Sequence, residues 1–346
     1  MRKLIILLLF GFLCAVPVSA MDFTAPTAPE AAEDLMPAET ESFAEGLWSI
    51  LKTAISKIAP DVTAAAGCCM TVIAVVIIAS LLNAMPGSSK KVIHFVSTLA
   101  LSAILLGQAN TMVNLCGRTV REISDYTKLL LPVMTTALAA QGGVSGATAL
   151  YAGTAAFNAV LSTLIAKVLV PMVYVFLAIC VAHGAIGEQL LKKLRDFVKW
   201  LVSWSLKTIL YIFTGYLGIT GVITGTVDAT ALKAAKLTIS GVVPVVGGIL
   251  SDASEAVLLS AGAMKNAAGI YGLLAVLAIW IMPFLQMGVQ FLLLKLTAAL
   301  SSVFGVSTAT GLVEDFSVAM GLLLAMTGAV SFLMLISTVC FMKGMG

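Results

Sequence analysis

The residues with the clearest chemical potential are polar side chains that stand inside long apolar runs. Lys167 lies three residues before the pair Val170-Pro171, and Gln286 and Gln290 lie in a later apolar run. Because they are four residues apart, the two glutamines share one face of a helix. Polar groups are costly in hydrocarbon, so these residues either line a polar path through a helical bundle or form hydrogen bonds between helices. Lys167 has a further option, since a long lysine side chain can reach the headgroup region.

A second group of candidates lies in and after a stretch of small residues. Asp252 and Glu255 are three residues apart, which places them on one helix face. They could line a vestibule, bind a cation or contact a partner, and the alternative is a solvated helix outside the bilayer. The candidate pore or partner-contact residues are therefore Lys167, Pro244, Gly247, Gly248, Asp252, Glu255, Lys265, Asn266, Gln286 and Gln290.

Residue patterns typical of catalysis are missing from the sequence. The two histidines, His94 and His183, are far apart, and neither has a companion at metal-ligand spacing. The sequence contains no GxxxxGK[ST], HExxH or GxSxG motif. Adjacent residues on a helix point about 100° apart, so a disulfide between Cys68 and Cys69 is disfavoured. We predict that the chain is not an enzyme and binds neither a metal nor a cofactor.

Composition indicates that lipid is the main solvent of the chain. Of its 346 residues, 60% are hydrophobic and only 11% are charged, and the mean hydropathy is +1.06. Soluble domains carry about 25% charged residues. The net charge of +3, with no basic tract that contains aromatic residues, gives no indication of nucleic-acid binding. We predict the lipid bilayer as a partner and no nucleic acid.

The N-terminal region has the pattern of a processing signal. Arg2 and Lys3 precede a short apolar segment, and Val18-Ser19-Ala20 resembles a cleavage site, which predicts a signal peptide over residues 1–20. An uncleaved anchor is the alternative. Residues 21–41 are predicted to form a flexible acidic leader. Apolar residues at spacings of three and four predict an amphipathic helix over 42–60 that lies along the membrane surface.

Hydropathy predicts an all-α fold, a polytopic transmembrane helical bundle over residues 61–346 with about six spans, within a range of six to eight. A basic amphipathic helix is predicted near residues 190–199. Segments near 132–153 and 240–266 are broken by Pro and Gly, and we interpret them as re-entrant. Non-helical backbone at membrane depth persists only where it is buried in protein or faces water. The spans are predicted near 62–84, 92–114, 168–187, 201–225, 270–294 and 317–341.

The stretch Ile239-Ser240-Gly241-Val242-Val243-Pro244-Val245-Val246-Gly247-Gly248-Ile249-Leu250-Ser251-Asp252-Ala253, followed by Lys265-Asn266-Ala267-Ala268-Gly269, resembles the stage III sporulation protein AE family. The signal sequence, the Pro132 segment with Gln141-Gly142-Gly143, the basic helix and the order of spans are also similar. The resemblance covers about residues 40–346.

The resemblance implies a permease-like component of a trans-envelope complex that links mother cell and forespore during endospore formation. The location it implies is the mother-cell membrane around the forespore. The implied partners are other membrane proteins of that complex, including a separate ATPase and a ring-forming component, and the sequence is also compatible with a homo-oligomer. Two alternatives stay open: a stand-alone secondary transporter for a small solute, and a membrane scaffold that does not conduct.

Overall fold

The computed structural model describes residues 26–37, 42–86, 89–140, 144–219 and 267–344. All the regular structure in these ranges is helical, which confirms the all-α prediction for them. The predicted signal peptide, residues 21–25 and 38–41 of the leader, and the predicted broken segment near 240–266 lie outside the described residues. So do seven of the candidate residues, namely Pro244, Gly247, Gly248, Asp252, Glu255, Lys265 and Asn266.

The described helices are numbered in chain order, and residues 220–266 lie outside them. A π-helical turn, Ile165–Leu169, joins the fifth helix to the sixth without a break, and we call this continuous unit the α5–α6 rod. The helices are α1 Glu30–Glu33, α2 Phe43–Lys57, α3 Ala59–Ala84, α4 Lys90–Ala140, α5 Val144–Leu164, α6 Val170–Ile186, α7 Gln189–Ile219, α8 Ala267–Val303 and α9 Ser307–Gly344.

Within the described ranges, five helical units are long and apolar enough to cross a membrane: α3, α4, the α5–α6 rod, α8 and α9. Each overlaps one predicted span, as expected for a multi-pass membrane protein. The predicted span at 201–225 lies only partly in the described chain. Its described part belongs to α7, which begins in the basic segment at Gln189 and continues to Ile219. The count of about six spans stays a prediction.

Helix α4 continues through Pro132 to Ala140, and α5 begins at Val144. The backbone is therefore helical on both sides of residues 141–143, where the sequence predicted a longer broken segment. Proline removes one backbone hydrogen bond, the one to the carbonyl four residues earlier. Pro132 and Lys128 are both exposed, so the carbonyl left without its bond is on the outer side of the helix. The re-entrant interpretation stays a prediction.

The π turn before Pro171 has an identifiable cause. Pro171 lies in the first turn of α6, where it lacks an N–H and its ring would clash with the Lys167 carbonyl in a regular α-helix. The wider turn avoids this clash, and the Val170 N–H donates to the Ile165 carbonyl. Four fully buried residues at a constant spacing of four follow the inner side of the rod through this turn: Leu161, Ile165, Leu169 and Val173.

The rod runs antiparallel to α4, and polar contacts fix the register between them. Thr98 donates to the Gly184 carbonyl (3.1 Å), and Tyr174 donates to Asn110 Oδ1 (2.7 Å). Further along, Asn158 donates to Ser124 Oγ (3.2 Å). Helices α8 and α9 pack along each other and against α4 at the centre of the bundle, whereas most of the apolar surface of α3 faces outward.

Candidate functional site

Helix α8 carries a polar face through apolar sequence. Gln286, Gln290, Thr297 and Ser301 recur at spacings of four, seven and four, which places them on one side of the helix. Gln286 is half-buried, whereas Gln290, Thr297 and Ser301 are only 1%, 2% and 0% exposed. The face points into the junction of α3, α4 and α8. We call these four residues, together with Asp61 and Gln108, the polar seam.

Asp61 supplies the carboxylate of the polar seam. It lies in the first turn of α3, next to Pro60, which favours the start of a helix because it needs no N–H partner there. Gln286 Nε2 donates to Asp61 Oδ2 over 2.9 Å. Since an ionised carboxylate strengthens a hydrogen bond, this contact ties α3 firmly to α8.

Gln108 and Gln290 form the second contact between helices in the polar seam. Gln108 Nε2, from α4, donates to Gln290 Oε1 over 3.2 Å. The other end of the Gln290 amide, Nε2, is buried and has no hydrogen-bond partner among the described residues. An unsatisfied buried donor is unfavourable by about 1–3 kcal/mol, so this nitrogen is suited to an acceptor such as a water molecule.

Thr297 and Ser301 continue the polar seam towards the other end of α8. The Thr297 hydroxyl donates to the Leu293 carbonyl (2.7 Å) and also contacts the Cys69 thiol of α3. Ser301 Oγ is fully buried without a partner in the described part of the chain. From Gln286 to Ser301 the polar face extends for roughly 22 Å along the helix axis, most of the thickness of a bilayer core of about 30 Å.

The side chains of the polar seam are suited to hydrogen bonding and to binding water, and not to bond cleavage. It offers amides, hydroxyls and one carboxylate, and no described histidine belongs to it. Such groups can lock helices together through hydrogen bonds. They can also bind water molecules, because Gln290 Nε2 and Ser301 Oγ are left without hydrogen-bond partners among the described residues. Both roles agree with the two interpretations that the glutamine spacing predicted.

A pair of ionic contacts joins α9 to its neighbours outside the polar seam. Arg195 of α7 donates from Nη1 to both oxygens of Asp315 (2.8 and 3.0 Å), and these side chains are only 16% and 12% exposed. Lys295 of α8 contacts Glu314 over 2.9 Å at a more exposed position. Pairing lowers the cost of holding these charges among apolar helices.

The structure brings together only some of the predicted site residues. Gln286 and Gln290 both belong to the polar seam. Lys167 lies instead on the π turn with its side chain exposed on the outside of the bundle. The seven candidates between Pro244 and Asn266 are outside the described residues, so their role stays a prediction.

Sequence reasoning missed Asp61, Gln108, Thr297 and Ser301. Part of the signal was present, because Thr297 and Ser301 repeat the positions of Gln286 and Gln290 after about three turns of the same helix. Asp61 gave a weaker signal, since an acidic residue in the first turn of a helix is ordinary. Gln108 stands in an apolar run much as Gln286 does, but nothing in the sequence pairs it with α8.

A family model and a curated relative match this chain. A family model described as "Stage III sporulation protein AE" matches residues 32–345. A protein of the same description from Bacillus subtilis (strain 168) is 22% identical over 231 residues, which is 66% of this chain and 58% of the relative. The matched region therefore spans well under two thirds of that relative's length. No solved structure matches.

Proposed function

Since the chain belongs to the stage III sporulation protein AE family, we propose that it is the permease-like membrane core of a sporulation complex. In this proposal it resides in the mother-cell membrane around the forespore. There it works with a separate ATPase and a ring-forming component to link the two cells, and endospore development requires it.

The observation that supports a permease-like core is the partly buried Gln108–Gln290 contact within the polar seam. An inert membrane scaffold could be built from apolar packing alone, whereas this junction keeps three amides, a carboxylate and two hydroxyls between apolar helices. The free Gln290 Nε2 gives a hydrated path a point of attachment. A water-lined junction of three helices is what the passage of small solutes needs.

The test of the family function is genetic. A strain that lacks the chain is expected to form no heat-resistant spores, measured as colonies after heating, while vegetative growth is unchanged. Restoring the wild-type gene at another locus should restore the spore count. Normal sporulation without the chain would contradict the proposed function.

The test of the conduit uses the double variant Gln108→Leu and Gln290→Leu. Replacing both partners with apolar residues of similar size removes the polar contact without leaving a buried group unpaired, so the fold should persist. We expect the protein to reach the membrane at wild-type level by immunoblot and the heat-resistant spore count to fall at least tenfold.

The matched control is Thr111→Val, three residues from Gln108 on α4 but exposed. This control should sporulate normally. If the double variant also sporulates normally while the null strain does not, the chain acts as a scaffold and not as a conduit. If purified wild-type chain alone carries solute into vesicles, it is a stand-alone transporter and the proposed dependence on partners is wrong.

A further inference from the structure

The outer surface between α4 and the α5–α6 rod carries an exposed polar contact. Tyr174 of α6 donates through its hydroxyl to Asn110 Oδ1 of α4 over 2.7 Å. Both residues are exposed, and the exposed fraction of Tyr174 is 40%. Tyrosine is enriched where hydrocarbon meets water, because its ring is apolar and its hydroxyl is polar. This contact therefore marks a candidate boundary of the lipid-facing surface.

Cations lie on both helices on the same side of this contact. Arg118 is eight residues beyond Asn110 on α4, and Lys167 is seven residues before Tyr174 on the rod. Because the two helices are antiparallel, both steps lead in one direction, by roughly 10–12 Å along the axes. Arg118 and Lys167 are exposed, and so is Arg121 one turn further. We call Asn110, Tyr174, Arg118, Arg121 and Lys167 the clasp surface.

The surface on the other side of the Asn110–Tyr174 contact is apolar. Leu106 and Leu99 of α4 are 41% and 46% exposed, and Val175 of α6 is 52% exposed. From Leu106 to Arg118 the distance along the helix is roughly 18 Å, close to the depth of one leaflet of a bilayer core about 30 Å thick. The exposed surface thus changes from apolar to cationic over the length of a lipid acyl chain.

The cations of the clasp surface are available to a ligand. The ion pairs of the described chain join Lys57 to Asp34, Lys128 to Asp125, Arg195 to Asp196 and Asp315, and Lys295 to Glu314. None of these involves Arg118, Arg121 or Lys167. Glu122, which is half-buried near both arginines, is the carboxylate within their electrostatic reach. The surface keeps a net positive charge.

We propose that the clasp surface is a binding site for a phospholipid with an anionic headgroup. The phosphate lies against Arg118, Arg121 and Lys167, Tyr174 and Asn110 lie at the ester level, and the acyl chains lie along Leu106, Leu99 and Val175. Arginine suits this role because its planar guanidinium matches phosphate oxygens. In the reverse arrangement the cations would lie beside the lipid tails, which is unfavourable for each exposed charge. This site is independent of the polar seam and of the proposed conduit.

The experiment measures lipid retention by the full-length purified chain. The protein is exchanged into mild detergent with phosphatidylglycerol or phosphatidylcholine, and bound lipids are counted by native mass spectrometry while the thermal unfolding midpoint is recorded. Phosphatidylglycerol should be retained preferentially and should raise the midpoint. In the double variant Arg118→Gln and Lys167→Gln, phosphatidylglycerol binding should weaken about fivefold for each cation removed.

The matched control is the double variant Lys192→Gln and Lys193→Gln, which removes the same charge from exposed positions on α7. It should retain phosphatidylglycerol as the wild type does. The proposal is overturned if the wild type does not prefer phosphatidylglycerol, or if both double variants lose it equally. It is also overturned if inorganic phosphate at millimolar concentration raises the midpoint as much as the lipid does, or if only an acidic protein partner, and no lipid, is lost from the clasp variant.

Discussion

At the scale of single residues, the least exposed ion pair of the described chain is Arg195–Asp315. It joins the basic end of α7 to α9 through two short hydrogen bonds on one carboxylate, and both side chains are largely withdrawn from solvent. In the sequence, Arg195 is one cation among several lysines, and Asp315 is a polar residue near the start of a predicted span. Their pairing explains why an acidic residue is tolerated inside an apolar helix.

Substituting Asp315→Asn alone removes the buried partner of Arg195 and leaves it only the contact to the more exposed Asp196. We expect the free energy of unfolding to fall by about 3 kcal/mol, measured from thermal or denaturant unfolding in detergent. The double variant Arg195→Met and Asp315→Leu should be more stable than either single variant, because it leaves no unpaired charge. If the double variant is as unstable as the sum of the two single variants, the pair is not the cause of the loss.

Two of the six residues of the polar seam, Gln286 and Gln290, were predicted from sequence, and their partners on other helices could not be, for a physical reason. The periodicity of a helix relates Gln286 to Gln290, because they are neighbours on the same element. Their partners are on other elements: Asp61 lies 225 residues away from Gln286, and Gln108 lies 182 residues away from Gln290. No local sequence pattern predicts how α3 and α4 pack on α8. These partners could therefore be identified only from the folded structure.

At the scale of elements, small residues decide how closely helices approach. Gly153 of α5 faces the ring of Tyr216 on α7, and a Cβ atom added there would overlap the ring edge. Tyr216 in turn donates to the Ala149 carbonyl over 2.7 Å, which holds the ring in place. The closeness of α5 and α7 at this point therefore depends on the missing side chain.

The variant Gly153→Ala is expected to lower the thermal unfolding midpoint, because α7 must shift to admit the new methyl group. Overpacking of this kind typically reduces stability by about 1–3 kcal/mol. The control Gly146→Ala lies on the same helix, where nothing lies within 4 Å of the added Cβ. This control should be neutral or slightly stabilising, since alanine is the better helix former. Equal destabilisation by both variants would contradict the proposed contact.

The prolines of this chain do not reliably mark where helices end. Pro132 and Pro283 both lie inside helices, and Pro171 lies in the first turn of α6. Sequence reasoning treated Pro132 as the start of a broken segment, whereas the helix continues past it to Ala140. The interior of a bundle stabilises a long helix through many side-chain contacts, and these outweigh the loss of one backbone hydrogen bond.

At the scale of the whole molecule, the helices are longer than a bilayer requires. Helix α4 has 51 residues and extends for roughly 75 Å, more than twice the thickness of a hydrocarbon core of about 30 Å. Its second half carries a cluster of charged residues, namely Arg118, Arg121, Glu122, Asp125 and Lys128. One part of the bundle must therefore project beyond the membrane.

Cysteine labelling can locate that projection on α4. In a variant whose native cysteines are replaced by alanine, Asp125→Cys should react readily with a membrane-impermeant maleimide in nanodiscs. Leu99→Cys, also on the exposed side of α4, should stay unreacted until detergent is added, because lipid covers it. Equal reactivity at both positions would show that the membrane does not divide α4 as its charges indicate.

The π turn of the rod also has a consequence for how the chain can change in length. A regular α-helix advances by about 100° per residue, so contacts spaced by four would drift out of phase over the twelve residues from Leu161 to Val173. The wide turn resets this phase, and all four buried side chains keep one direction. Removing Ala166 would change the spacing of these four buried residues to four, three and four, which is typical of an α-helix. The π turn therefore contains one residue more than a regular α-helix would. A deletion of one residue at this turn would not rotate α5 relative to α6.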